Sequence, residues 1–148
     1  MMPNADRLIL DQFIPYRLSV ASNAVSTRIS LSYRKRFGLS VPQWRVIAIL
    51  AENSAMTSQA LCRATRMDKI NVSRAAAALV ARGLVSDREN PGDGRSHLLA
   101  LTRDGEALYA QIAPLARELE RALLQNFTPQ ERALLDTLLR RIEGAAQQ

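Results

Sequence analysis

Apolar residues recur at spacings of three and four along most of this chain, a pattern that predicts a mainly helical protein. The first such stretch extends from residue 5 to about residue 36 and ends at Phe37-Gly38, because glycine suits a helix C-terminus. Pro15 interrupts the pattern, so the stretch is either one kinked helix or has a boundary near Ile14. Its apolar positions are Leu8, Phe13, Ala21, Ala24, Val25 and Ile29.

Capping residues predict three shorter helices in the middle of the chain. The first spans Pro42 to Glu52, with Ser40 or Val41 near its cap, since a proline is tolerated in the first turn of a helix. The second is capped by Thr57 and ends near residue 64 or 65. The third is capped by Asp68 and runs to about Arg82, where Gly83 ends it. The apolar face of the first of these helices holds Trp44, Ile47, Ala48 and Leu50.

A β-hairpin is predicted directly after Gly83. Its strands are Leu84–Arg88 and Ser96–Leu101, joined by Glu89–Arg95. The joining segment contains Pro91-Gly92-Asp93-Gly94, a composition typical of tight turns. The hairpin is therefore short, polar and basic at its tip.

Two further helices complete the chain. Thr102 caps a long fifth helix that extends to about Phe127 and is interrupted or bent at Pro114. Thr128 caps a sixth, whose apolar residues keep helical spacing. These residues are Leu134, Leu135, Leu138, Leu139 and Ile142.

The order of these elements predicts a fold class: mainly α with a small β-hairpin wing. Helix, turn, helix and basic hairpin form a winged helix-turn-helix, which sets one helix in the DNA major groove and a β-loop beside it. We expect one domain over residues 1–148, with the winged unit at about 40–102 and flanking helices at about 5–36 and 103–147. The flanking helices have more apolar surface than one winged-helix core needs. They either pair with a second copy in a symmetric dimer or pack on their own domain.

The net charge of +6 is unevenly distributed along the chain. Residues 63–103 hold eight Lys and Arg against four Asp and Glu, whereas residues 104–148 hold five against seven. A basic middle segment beside an acidic tail favours a polyanionic partner for the winged unit. Charge alone would also fit RNA or a membrane surface.

Several classes of protein are excluded by the composition. No apolar run reaches the roughly 18 residues of a membrane span, and Met1–Asp6 lacks the features of a signal peptide. The single cysteine, Cys62, forms no internal disulfide, so we expect a cytoplasmic protein. His97 is the only histidine, and neither a nucleophile–base pair, a phosphate loop nor a carboxylate dyad occurs. We therefore expect no metal, no cofactor and no enzymatic activity.

The third of the middle helices has the character of a DNA recognition helix. Val72, Ala76, Leu79 and Val80 lie on one side and are expected to face the core. Arginine pairs with guanine, asparagine with adenine, and serine donates or accepts, so polar groups near the start of this helix suit base-edge readout. The candidate contact residues are Lys69, Asn71, Ser73 and Arg74.

Further candidate contacts lie on either side of this helix. Ser58 and Gln59 begin the preceding helix, where free N–H groups and small polar side chains bind phosphate. At the wing tip, Asp93 can orient Arg95 by a charge-assisted bond, and an arginine held in this way suits a narrow minor groove. Arg88 adds charge within reach of phosphate. The alternative for all these groups is ordinary helix capping or a solvated surface.

These motifs resemble the MarR family of multiple-antibiotic-resistance-type regulators. The matching runs are Leu39-Ser40, Gln43-Trp44, Asn71-Val72-Ser73-Arg74, Arg82-Gly83-Leu84-Val85, Arg88, Asp93-Gly94-Arg95 and Leu99-Ala100-Leu101-Thr102. The resemblance implies a homodimer that docks two recognition helices and two wings on a pseudo-palindromic operator in double-stranded DNA. It also implies a repressor that is released by a small, often aromatic or phenolic, ligand.

Arg17 is the candidate for ligand recognition. Helical spacing sets it in a largely apolar stripe with Phe13, and a cation on an apolar wall is costly unless it meets an anion. That anion is either a bound carboxylate or an Asp or Glu of a partner chain, and the first alternative suggests an aromatic carboxylate, or a thioester of one, as effector, with Phe13 and Trp44 as walls. Cys62 is expected to be a buried, inert thiol. The alternative function is a winged helix that binds DNA constitutively, or binds only proteins, without a small-molecule effector.

Overall fold

The computed structural model describes residues 6–148; the predicted helix start at residue 5 and the segment Met1–Ala5 lie outside them. Helix α1 spans Ile14–Phe37 and is preceded by a 3-10 turn at Leu10–Gln12. The prediction of one continuous helix was therefore wrong, and the alternative of a boundary near Ile14 is confirmed. Phe13 is extended, and Pro15 occupies the first turn, where its missing N–H leaves no bond unmade. At the other end Gly38 adopts φ +64°, as a left-handed C-terminal residue requires.

Three short helices follow, with the predicted caps. They are α2 at Val41–Asn53, α3 at Ser58–Thr65 and α4 at Lys69–Ala81. Each N-cap side chain, on Ser40, Thr57 and Asp68 respectively, accepts a hydrogen bond from a backbone N–H in the first turn. Local capping chemistry therefore accounts for where these helices begin.

The hairpin is longer than predicted and its turn is tighter. Strand β1 spans Val85–Asn90 and pairs antiparallel with β2 at Asp93–Leu101. The Asn90 side chain accepts from the N–H of Gly92 and donates to the hydroxyl of Ser96, which closes the turn over two residues. Most of the predicted loop Glu89–Arg95 therefore belongs to the strands, and Arg95 lies in β2 rather than at the tip.

The C-terminal helices are α5 at Arg103–Leu123 and α6 at Pro129–Ala146. Helix α5 continues through Pro114 and ends before Phe127, so of the two alternatives at Pro114 the interruption was wrong, and the predicted end lies a turn too late. The Thr102 hydroxyl accepts from the N–H of Gly105 at 3.1 Å and donates to the Gly83 carbonyl at 2.6 Å. It therefore caps α5 and also ties that helix to the end of α4.

Two compact units can be distinguished, one reaching to Tyr109 and the other spanning Ala110–Gln148. The core of the first unit is built from α2, α3, α4 and the hairpin. Its buried members include Val46, Ile47, Leu50, Leu61, Val72, Leu79, Leu84, Val85 and Leu99. Two details differ from the predicted faces: Trp44 and Ala48 are only half-buried, and Val80 is exposed while Ala75 is buried.

Two hydrogen-bonded contacts hold this first unit together across long sequence separations. Met56 forms an isolated β-bridge with Leu99, with N–H to carbonyl distances of 2.9 and 2.8 Å, which joins the segment before α3 to the hairpin. The Arg82 guanidinium donates to the carbonyls of Phe37 and Gly38, which fixes the end of α1 against the end of α4. No helix within residues 6–148 has both the length and the apolar character to cross a bilayer.

Large apolar side chains remain exposed in each unit. In the first unit a group of them surrounds the start of α1, namely Leu8, Ile9, Leu10, Phe13 and Ile14. In the second unit five of them lie on α6, namely Leu134, Leu135, Leu138, Leu139 and Ile142, each between 38% and 57% exposed. Side chains of this size on one helix face are uncommon on the surface of a monomer.

Candidate nucleic-acid interface

Helix α4 divides cleanly into a buried and an exposed face. Val72, Ala75, Ala76 and Leu79 pack in the core. The candidate base-contacting residues are all exposed: Lys69, Asn71, Ser73 and Arg74. Because these residues lie in the first two turns, the N-terminal half of α4 presents a polar surface that can reach base edges.

A cavity of about 810 Å³ brings together candidate residues from three separate segments. Ser58 and Gln59 of α3, Lys69 of α4 and Arg95 of β2 all line it. Asp93 lies in its wall as well. The phosphate-binding residues predicted before α4 and the arginine predicted after it therefore share one polar surface, although 25 residues lie between Lys69 and Arg95 in the chain.

The contact between Asp93 and Arg95 differs from the predicted one. The carboxylate of Asp93 accepts the backbone N–H of Arg95 at 3.0 Å, instead of a bond from the guanidinium. This bond shapes the start of β2, and the exposed arginine side chain is left to contact other groups. Asp93 therefore shapes the backbone at the start of β2 and does not orient the guanidinium of Arg95.

Arg88 lies apart from this group. It lines a second cavity of about 540 Å³, with Leu50, Glu106 and Tyr109 among its neighbours. Adjacent residues of a strand point to opposite faces, and Asp87 lines the first cavity while Arg88 lines the second. The structure therefore does not bring Arg88 to the surface that Ser58 and Arg95 share.

Three polar residues of the interface escaped the sequence reasoning. Asp87 and His97 lie on facing strands, and the His97 Nδ1 is 2.8 Å from the Asp87 Oδ1 at the wall of the first cavity. This pair could be found only once the strand register was known. Asn90 closes the turn of the hairpin. Within the described residues no cluster of His, Cys, Asp and Glu could hold a metal ion. Cys62 was expected to be buried but is only half-buried, in the wall of the first cavity.

Ile70 and Asp68 at the start of α4 were also not assigned a role at the interface. Ile70 is 65% exposed beside Asn71, where an apolar side chain can contact a thymine methyl group. Asp68 accepts the backbone N–H of Asn71 with one carboxylate oxygen and the Asn71 side-chain amide with the other, both at 2.8 Å. These bonds hold the pKa of Asp68 below its usual value, and the bond from the Asn71 backbone N–H has the largest effect. The carboxylate of Asp68 is therefore ionised at neutral pH.

The predicted ligand residues occupy two different environments. Arg17 is exposed, and its Nη1 lies 3.1 Å from the Oδ1 of Asp11 in the 3-10 turn of the same chain. Phe13 lies one turn earlier, 40% exposed. Trp44 belongs to an aromatic cluster in which its ring lies 5.2 Å from that of Tyr33 and 6.2 Å from that of Tyr109. Burial raises the pKa of the Tyr33 phenol.

Comparison with known proteins agrees with this architecture. The sequence model of the MarR family matches residues 37–96. The multiple antibiotic resistance protein MarR of Escherichia coli strain K12 is 27% identical over 136 residues, which cover 90% of this chain and 94% of that protein. The transcriptional repressor NicR of Pseudomonas putida is 28% identical over 100 residues, 68% of this chain and 63% of its own.

Solved structures match over nearly the whole chain. A MarR/EmrR family regulator from Acinetobacter superposes with a TM-score of 0.86 at 25% identity, over 95% of this chain and 99% of that one. The Escherichia coli MarR structure in complex with operator DNA superposes with a TM-score of 0.80 at 27% identity, over 92% and 99% of the two chains. Its motifs, its fold and these matches support a MarR-family winged-helix transcriptional regulator, and the relatives that match are regulators and not enzymes.

Proposed function

We propose that this protein is a homodimeric repressor that binds a pseudo-palindromic operator through α4 and the hairpin. The observation that carries the proposal is the shared surface of Ser58, Gln59, Lys69 and Arg95 around one cavity beside the exposed face of α4. Ser58 and Gln59 would bind phosphate at the start of α3, which fixes the position of α4 on the duplex. Asn71, Ser73 and Arg74 would then read base edges, and Arg95 would enter the neighbouring minor groove.

The exposed apolar residues support the dimer. The five large side chains on α6 would each cost free energy in contact with water, and a second copy of the same helix face would cover them symmetrically. A dimer also suits the readout, because one α4 contacts only a few base pairs, and a two-fold axis doubles the contact area. The relatives that match this chain include a protein named as a transcriptional repressor.

Footprinting on DNA fragments selected by the wild-type protein tests this function. We expect protection of two half-sites related by a two-fold axis, with centres about one helical turn, ~10.5 base pairs, or a multiple of it apart. Affinity should fall steeply with added salt, because each phosphate contact releases a counterion. A single unpaired half-site would contradict the dimer, and affinity independent of salt would contradict the phosphate contacts.

The finer proposal concerns the signal that releases the repressor. We propose a small aromatic carboxylate, or a thioester of one, as the effector, with Arg17 as its cationic contact and Phe13 as an apolar wall. Arg17 already holds a carboxylate, that of Asp11, in an exposed pair. Exposed ion pairs contribute little stability, so a ligand carboxylate with two parallel hydrogen bonds can replace Asp11 at small cost. The aromatic cluster around Trp44 is a second apolar surface of the same unit.

Arg17→Ala should abolish release by the effector and leave operator affinity within about threefold of wild type, because Arg17 lies outside the proposed DNA surface. Effectors would first be found by a thermal-shift screen of aromatic acids and their coenzyme A thioesters, since a ligand of the folded state raises the melting temperature. Arg36→Ala, also an exposed arginine of α1, is the matched control and should behave as wild type. Unchanged release in Arg17→Ala would refute this site, and a screen without any stabilising compound would favour constitutive DNA binding.

A further inference from the structure

The side chain of Asn71 is held in one orientation by its neighbour Asp68. One oxygen of the Asp68 carboxylate caps α4, and the other accepts a hydrogen bond from Asn71 Nδ2 at 2.8 Å. An ionised carboxylate has only acceptors, so the nitrogen end of the Asn71 amide must face it. The amide oxygen of Asn71 then faces away from Asp68, in a side chain that is exposed at the start of α4.

An asparagine held in this way discriminates between bases. A free amide can turn over and offer its oxygen or its nitrogen to a partner at similar cost. An amide held by Asp68 offers a base its oxygen as an acceptor, together with the one N–H that does not donate to Asp68. In the major groove adenine presents the complementary pair, a donor at N6 and an acceptor at N7, and cytosine presents a donor at N4. Guanine O6 and thymine O4 are acceptors and would oppose the amide oxygen.

We propose that Asp68 is a positioning residue that sets base specificity, by fixing Asn71 so that it selects adenine, or secondarily cytosine, at one position of each half-site. This inference rests on the proposed function, since it requires α4 to lie in the major groove. The Asp68 carboxylate bonds to Asn71 and would not itself touch the DNA bases. Its double role follows from the two oxygens of one carboxylate, which cap the helix and orient the reader at the same time.

The substitution Asp68→Asn provides a test that inverts the effect and keeps the helix. Asparagine is as good an N-cap as aspartate, and the cap requires its oxygen, so its amino group must face Asn71. Asn71 would then turn its own oxygen to that amino group and present its nitrogen to the base. We expect the preferred base at this position to change from adenine or cytosine to guanine or thymine, by at least about fivefold in relative affinity.

Two further variants separate orientation from capping. Asp68→Ser keeps a capping oxygen but has no second group for the Asn71 amide, so the preference at this position should become nearly flat. Asn71→Ala removes the amide that contacts the base and should abolish the base preference at this position completely. Affinities would be measured on duplexes that carry each of the four bases at every half-site position, and melting temperatures would verify that all variants are folded. A purely structural role of Asp68 would lower affinity for all duplexes alike and leave the base preference unchanged.

The outcomes distinguish this inference from the proposed function. If Asn71→Ala flattens one position while both Asp68 variants retain the wild-type preference, Asp68 does not position Asn71, and the operator function stands. If Asn71→Ala changes no base preference, Asn71 is not a reader, and the inference fails with that contact. If the wild-type protein selects no DNA sequence at all, the proposed function fails and the inference fails with it.

Discussion

Replacing Arg74 and Arg95 together by alanine should lower operator affinity by about a thousandfold or more. Each arginine that pairs with bases contributes roughly 1–3 kcal/mol, and a dimer loses two copies of each. Even the lower figure sums to about 4 kcal/mol, which corresponds to a factor of about a thousand in Kd. The measurement is fluorescence anisotropy with a labelled operator at one fixed salt concentration, since affinities at different salt cannot be compared.

A charge-matched control is needed, because any loss of positive charge weakens binding to DNA. Arg45→Ala with Arg117→Ala removes the same charge from exposed positions of α2 and α5, outside the proposed surface. This variant should lose no more than about tenfold, since distant charges are largely screened. If the two double variants lose the same affinity, the groove and wing contacts are wrong and only the net charge matters.

The helix starts of the middle segment could be predicted because their causes are local. Ser40, Thr57 and Asp68 each accept a backbone N–H three residues ahead, and this needs no knowledge of the fold. The start of α1 was harder to place, because apolar residues before Ile14 keep a helix-like spacing although no core packs against them. Periodicity there indicates exposed apolar surface and not a helix.

In the candidate site, too, features with local causes could be predicted, and features that depend on the fold could not. The exposed face of α4 could be predicted from the helical period, since Val72 and Leu79 fix which side is buried. The Asp87–His97 pair depends on the strand register, and the register depends on the length of the turn. The composition of the loop predicted a longer turn than the one that forms, so the register could not be predicted. The pair between Asp11 and Arg17 was missed for a related reason: it requires a 3-10 turn before α1, in a segment whose apolar spacing indicated helix.

The joint between α4, the hairpin and α5 depends on a close approach at Gly105. This residue is buried, and a Cβ built on it would contact the backbone carbonyl oxygen of Leu84 far inside van der Waals distance. The Leu84 carbonyl already accepts the N–H of Thr102 at 3.0 Å, and the Thr102 hydroxyl bonds to Gly83 and Gly105. A side chain at residue 105 therefore collides with the backbone of Leu84, and the two hydrogen bonds of the Thr102 hydroxyl hold the surrounding backbone in place.

Gly105→Ala should lower the free energy of unfolding by about 3 kcal/mol, at the upper end of the usual range for overpacking, because no side-chain rotation can relieve the clash. For a chain of this size that loss corresponds to a decrease in Tm of roughly 6–12 °C. Gly144→Ala in α6 is the matched control: nothing lies within 4 Å of its Cβ, so it should raise stability by up to about 1 kcal/mol through helix propensity. Urea denaturation followed by circular dichroism measures both variants. If Gly105→Ala is as stable as Gly144→Ala, α5 does not approach the end of α4 as closely as this joint requires.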